Sequence, residues 1–257
     1  MNDAARPLAG DGVLTAPPIP RLAEIALFAD LDGTLAPLEA TPDAVGPDKS
    51  RRRLLDALRL ALGGRLAVVS GRSLPDLDRV LEGRIPALGA VHGLIRRNAE
   101  NHIVRSTGSG RMGEAVRAFR DFAKTDRNLL VEDKEVAAAL HYRGEPAAEA
   151  ACRDLARRLG VTLGLSVQEG DMVVELRRPG PNKGDAVRAF MAEGPFTGFT
   201  PVFLGDDLTD EDGFKAARDL GGYGIIVGPR RPTSARYALE SVAAARIWLD
   251  QTLGAAK

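Results

Sequence analysis

The sequence predicts an α/β protein whose doubly wound, largely parallel sheet is interrupted by an inserted α+β unit. Three observations carry this. Apolar runs of strand length alternate with amphipathic helical patterns over residues 21–100; across 101–180 that alternation gives way to a mixture of helices and strand-like runs; from 181 to 257 it resumes. Residues 1–20, rich in proline, glycine and small side chains, are expected to form a poorly ordered tail.

The first strand is read from "EIALFAD", a buried apolar run ending at Asp30. "SRRRLLDALRLALGG" is helical, with Leu54, Leu55, Leu58 and Leu62 on one face and glycines to stop it. "RLAVVSGR" is the second buried strand. "SLPDLDRVLEG" opens on a capping Ser73, with Asp76 three residues on and apolar Leu77, Val80 and Leu81 behind it. "ALGAVHG" is the third strand. In the interrupting unit, "GEAVRAFRDFAK" and "EPAAEAACRDLARRLG" have helical spacing, and "NLLVED", "EVAAALHYR" and "DMVVELRR" read as strands. After "RPGPNKG" the pattern is helix "DAVRAFMAEG", strand "TPVFLGD", helix "EDGFKAARDLGG", strand "YGIIVG" and a closing helix "ALESVAAARIWLDQTL".

Thirty-five basic residues balance thirty-five acidic ones, so no net field draws the chain to nucleic acid or to an anionic membrane, and an anionic ligand must be bound locally. A single cysteine, Cys152, rules out an internal disulfide and a zinc cluster, and points to a reducing compartment, the cytoplasm. No signal peptide or membrane span is expected. Nothing in the sequence fixes an oligomeric state, and a monomer is the default.

In an open parallel sheet the ligand lies beyond the carboxyl ends of the strands, at a switch in strand order. Asp30, Ser70 and Asp206 all stand at such ends. The stretch "FADLDGTLAPL" puts Asp30 and Asp32 at the end of a buried strand. A calcium loop starting at Asp30 needs glycine at its sixth position and glutamate at its twelfth, which are Leu35 and Thr41, so that reading fails. Ser70 and Gly71 in "VVSGR" offer a hydroxyl and an amide to phosphate oxygens. Lys183 opens a helix, where its ammonium and the helix amides favour an anion. "FLGDDLTDEDGF" crowds Asp206, Asp207 and Asp210 at a strand end, an arrangement that calls for a cation; hard oxygen donors suit Mg²⁺.

These segments, in this order, resemble the four signature motifs of the haloacid dehalogenase (HAD) superfamily of phosphotransferases. The resemblance implies that Asp30 is the nucleophile and Asp32 the general acid and base. It makes Ser70, Gly71 and Lys183 the phosphate-binding groups, with Lys183 also catalytic. Mg²⁺ is held by Asp30, the backbone carbonyl of Asp32 and Asp206, with Asp207 and Asp210 behind them. Gly33 permits close approach of backbone to phosphate, and Thr34 either orients Asp32 or caps the turn. The inserted unit corresponds to the superfamily's α/β cap, of the C2 type, on an HAD-like core.

Within that superfamily "VEDKEVAAALHYR", "VVELRRPGPNKG", "AVHG" and "GDDLTDED" are similar to segments of the trehalose-6-phosphate phosphatases. The similarity runs from about Leu27 to Gly228. It implies hydrolysis of trehalose 6-phosphate through an aspartyl-phosphate, with Glu132, Lys134, Arg143 and Glu175 on the sugar. His141 is expected to pack or orient, and His92 to sense closure. The alternatives are another HAD sugar-phosphate phosphatase or phosphomutase, and a non-catalytic sugar-phosphate sensor. The small-molecule partner in each case is a sugar phosphate.

Overall fold

The computed structural model describes residues 14–107, 111–170, 172–229 and 231–255. In chain order the elements are β1 (Ile25–Ala29), α1 (Lys49–Ala61), β2 (Leu66–Val69), α2 (Leu74–Leu81), β3 (Ala87–Ala90), β4 (Ile95–Arg97), β5 (Ile103–Arg105), α3 (Met112–Ala123), β6 (Leu130–Asp133), β7 (Ala137–His141), α4 (Glu149–Leu163), β8 (Ser166–Gly170), β9 (Val173–Arg177), α5 (Lys183–Met191), β10 (Thr200–Gly205), α6 (Glu211–Asp219), β11 (Tyr223–Val227), β12 (Tyr237–Leu239) and α7 (Val242–Gly254).

The larger sheet has the order β12-β11-β10-β1-β2-β3-β4-β5, parallel from β12 to β3 and antiparallel beyond. Both faces are covered, so its central strands are apolar throughout rather than alternating. Along β1, Leu27 and Ala29 enter the core formed with α1, α2 and α7, while Ala26 and Phe28 enter the one formed with α5 and α6. The smaller sheet, β6-β7-β9-β8, is antiparallel and packs one face on α3 and α4 around Phe119, Tyr142 and Cys152.

Four short strands depart from the sequence reading. The boundary expected at residue 101 falls inside the β4–β5 hairpin, which belongs to the larger sheet and carries it to Arg105. β5 is exposed along its length, Ile103 and Val104 included, and at three residues is too short to show a strand pattern. The two arginines of "LIRRN" anchor β4 through paired hydrogen bonds, Arg96 to Glu193 and Arg97 to Asp78. β8 is largely polar, and β12 takes residues assigned to the last helix, which begins only after Ser241 caps it by accepting from Ala244 N.

Residues 1–13 of the expected tail lie outside the described residues. Residues 14–20 are held rather than loose: Thr15 O accepts from Ala238 N at 3.0 Å, Pro18 O accepts from Trp248 Nε1 at 3.1 Å, and Pro17 is buried. An extended segment lying beside β12 and α7 covers apolar surface that no local sequence pattern announces. Among the described residues, no helix is long and apolar enough to cross a membrane.

Candidate active site

The chain winds from β1 outward through β2 and β3, then returns to the other side of β1 with β10, so the strand order reverses at β1. Three predicted residues meet there. Asp30 N donates to Leu204 O at 2.9 Å and Ser70 N to Gly89 O at 2.8 Å, extending the ladders one residue past the strands and fixing where these side chains start. Asp206 follows β10. The loop after β1 folds back through Leu35 N and Ala36 N, both donating to Leu31 O. Gly33 sits in it at φ +75°, its Cα hard against the Asp206 carboxylate, where a Cβ would overlap that side chain.

Lys183 Nζ lies 3.0 Å from Asp30 Oδ2 and 2.7 Å from Asp210 Oδ1, with all three side chains buried. The other Asp210 oxygen accepts from Asp206 N and Asp207 N at 2.9 and 3.0 Å. Asp210 is thus saturated by its neighbours and shapes the loop. Asp30, Asp206 and Asp210 each offer an oxygen within 4.8 Å of the others. Burial, only partly offset by Lys183, raises the Asp30 carboxyl well above the usual range. Burial, then the charge of Asp210, raises Asp206 to about 7. Two carboxyls forced upward beside a single ammonium mark a site short of positive charge, and its donors are hard oxygens. A divalent metal fits it. Thr34 Oγ1 donates to Asp206 Oδ1 at 3.2 Å, so it supports Asp206 rather than Asp32.

The Asp207 side chain accepts from Leu208 N at 2.7 Å and caps the short turn after β10, beside the same cavity, where its charge adds to that of Asp210 on Asp206. Asp210 makes the direct contact with Lys183. Arg231, which the sequence reading passed over, holds this loop from outside by donating to Asp207 O at 2.7 Å and to Glu211 Oε1 at 2.5 Å.

Asp32 points away from the cluster into a fork of Arg72, whose Nε and Nη2 donate to its two oxygens at 2.6 and 2.7 Å. Arg72 is itself fixed by Pro42 O at 2.9 Å and by Asp76. Its guanidinium is held above its ordinary value, burial being outweighed by these two carboxylates. The sequence reading used only the first two residues of "SGR"; the signal for the third was Asp76 one helical turn on, at a spacing that lets one side chain reach the other.

The smaller sheet supplies the roof. Lys134 Nζ donates to Glu175 Oε2 at 2.7 Å, stands 3.6 Å from Glu132 Oε2, and reaches across to Gly71 O at 3.0 Å. Burial depresses Lys134, but Glu175 and Glu132 more than compensate and hold it above its usual range. Burial pushes Glu132 up, but a 3.2 Å contact with His141 and the charge of Lys134 prevail and lower it. His92 N donates to Ser70 O at 2.9 Å, and its ring meets Gln168 of β8 at 2.9 Å. A cavity of about 260 Å³ has Asp30, Ser70, Lys183 and Asp206 below and Glu132, Lys134, Arg143 and Glu175 above.

Buried carboxylates and one lysine at the switch point of a doubly wound core, roofed by an antiparallel cap sheet, define a phosphoryl-transfer protein of the HAD superfamily. The same fold is found in a phosphatase of that superfamily from Bacteroides thetaiotaomicron, with a TM-score of 0.60 at 14% identity over 95% of this chain and 99% of that one. The chain belongs to the trehalose-phosphatase family, whose sequence model matches residues 28–243. The trehalose-6-phosphate phosphatase of Escherichia coli (strain K12) is 40% identical over 231 residues, 89% of this chain and 86% of that protein. The C-terminal domain of the Candida albicans trehalose-6-phosphate phosphatase has the same fold, with a TM-score of 0.81 at 24% identity over 95% of this chain and 99% of that one.

Proposed function

We propose that this chain hydrolyses trehalose 6-phosphate to trehalose and inorganic phosphate, with the phosphoryl group carried in between on Asp30. The observation that supports this most directly is one cavity lined by Asp30, Ser70, Lys183 and Asp206 from the core and by Glu132, Lys134, Arg143 and Glu175 from the cap sheet, the two joined by the hydrogen bond from Lys134 to Gly71 O. Asp30 Oδ attacks phosphorus, and the P–O bond to the sugar breaks. Ser70, the Gly71 amide and Lys183 hold the phosphate oxygens. Asp32 gives its proton to the departing alkoxide, then takes one from the water that cleaves the acyl phosphate. Mg²⁺ on Asp30, Asp206 and the Asp32 carbonyl would supply the positive charge that lets an anionic nucleophile approach a phosphate and that stabilises the equatorial oxygens.

Arg72 orients Asp32 for this work by fixing both of its oxygens. Glu132, Lys134, Arg143 and Glu175 bind sugar hydroxyls. A site built of such groups rejects substrates that leave them unpaired. The lone Cys152 is consistent with a cytoplasmic setting. Purified protein with Mg²⁺ should release phosphate from trehalose 6-phosphate far faster than from glucose 6-phosphate or sucrose 6-phosphate. Equal rates on all three would sink the assignment, and an isomerised sugar phosphate without free phosphate would indicate a mutase.

A further inference from the structure

Three consecutive residues after β3, Val91, His92 and Gly93, have positive φ, at 47°, 57° and 98°. For a β-branched valine that conformation is strained and persists only where its surroundings impose it. Here Val91 N donates to Arg72 O and His92 N to Ser70 O, both at 2.9 Å. The distortion sets the His92 ring against Gly71, so closely that a Cβ on Gly71 would lie 2.5 Å from Cε1. The ring is 13% exposed and lines the cavity.

Its hydrogen-bonding state follows from its neighbours. Arg177 Nη1, which can only donate, meets Gln168 Oε1 at 3.0 Å, so the Gln168 amide has its oxygen toward Arg177 and its nitrogen toward His92. Gln168 Nε2 stands 2.9 Å from His92 Nε2 and also can only donate, so His92 Nε2 must accept. Burial, then the charges of Lys183, Lys134 and Arg177, hold His92 well below the usual imidazole range, and the ring is neutral. Its one proton is on Nδ1. That atom is buried and has no hydrogen-bond partner among the described residues, and the same holds for Glu175 Oε1, 3.8 Å from the ring's other nitrogen.

A donor and an acceptor left buried without partners on two residues that line one cavity are costly unless a ligand serves them. A phosphate oxygen accepts only and is repelled by the carboxylate. A sugar hydroxyl both donates and accepts. We propose that His92 is locked as the Nδ1–H tautomer and donates that hydrogen to a sugar hydroxyl, with Gln168 and Arg177 as positioning residues that set the tautomer. The inference rests on the reading of this cavity as a sugar-phosphate site, and it adds to the sugar contacts a residue from the core, which must meet Gln168 of the cap sheet to be correctly protonated.

Long-range proton–nitrogen NMR on the full chain labelled at histidine nitrogen should show His92 as Nδ1–H, Gln168→Leu should lose that single tautomer, and trehalose should shift the Nδ1 resonance in the wild type. In His92→Asn an amide nitrogen can occupy the Nδ1 position, and in His92→Gln the Nε2 position. His92→Gln and Gln168→Leu should lower the ratio of kcat/KM for trehalose 6-phosphate to that for p-nitrophenyl phosphate by about tenfold or more, while His92→Asn keeps it within about threefold. An Nε2–H wild type, or an unchanged ratio in His92→Gln, overturns the proposal. A wild type without activity on trehalose 6-phosphate counts against the phosphatase reading instead, and the tautomer and its response to trehalose are still read directly.

Discussion

Replacing Arg72 with alanine tests the assignment of roles around Asp32. The substitution strands Asp32, leaves Asp76 with Arg79 as its remaining cationic partner, the two carboxylate side chains being 26% and 17% exposed, and removes a hydrogen bond to Pro42 O. Charge-assisted hydrogen bonds contribute about 1.5–3 kcal/mol each, and water reaching the two carboxylates trims the loss, so the expected destabilisation is about 3 kcal/mol. In a chain of this size that lowers Tm by roughly 6–12 °C. The larger effect is on turnover. Asp32 loses the fork that fixes its plane, and a general acid and base worth about 10²–10⁴ in rate is left free to swing. Phosphate release from trehalose 6-phosphate should fall about 100-fold in kcat with little change in KM. Arg72→Lys should recover part of Tm but little of kcat, because an ammonium cannot hold both oxygens at once. Thermal denaturation with initial-rate phosphate release measures both. An Arg72→Ala enzyme within threefold of wild-type kcat, or an Arg72→Lys enzyme with full kcat, would refute the positioning role.

Asp30→Asn should abolish turnover while Tm holds or rises, since it removes a buried carboxylate that is raised by burial and crowded by Asp210 and Asp206; retained phosphate release in this variant would remove Asp30 as nucleophile. Asp206 is raised in the folded chain to about 7, so its protonated form contributes stability that is complete below the ordinary carboxylate range and is lost as pH rises through about 7. The Tm of metal-stripped protein should accordingly decline relative to the Mg²⁺-loaded form between about pH 5 and pH 8, and an Mg²⁺-induced rise in Tm that is flat across that interval would contradict this. Gly33→Ala combines a positive φ with a Cβ overlapping the Asp206 carboxylate, so it should cost about 1–3 kcal/mol and abolish the Mg²⁺-induced Tm shift; calorimetry with and without Mg²⁺ reads both.

Local chemistry makes much of this protein legible in its sequence. β1, β2, β3, β10 and β11 announce themselves because a strand buried on both faces must be apolar along its length, and Ser73 caps α2 through Asp76 N as its spacing implies. β5, β8 and β12 are short, polar or exposed, and exist because a neighbouring strand offers them hydrogen bonds. No periodicity inside three to five residues encodes such a neighbour.

The site divides along the same line. Asp30, Ser70, Lys183 and Asp206 could be named from the residue types at the ends of four elements, since strand ends and helix starts are where a parallel sheet must expose its chemistry. Which acid faces which base could not. The turn after β10 sets Asp210 against Lys183, Arg72 takes Asp32 from forty residues away, and Gln168 meets His92 across seventy-six. Sequence carries the inventory and the element on which each group rides, because those depend on neighbours along the chain. Pairing, protonation and the meeting of cap with core depend on neighbours through space, and only the packed fold puts those groups within reach of one another.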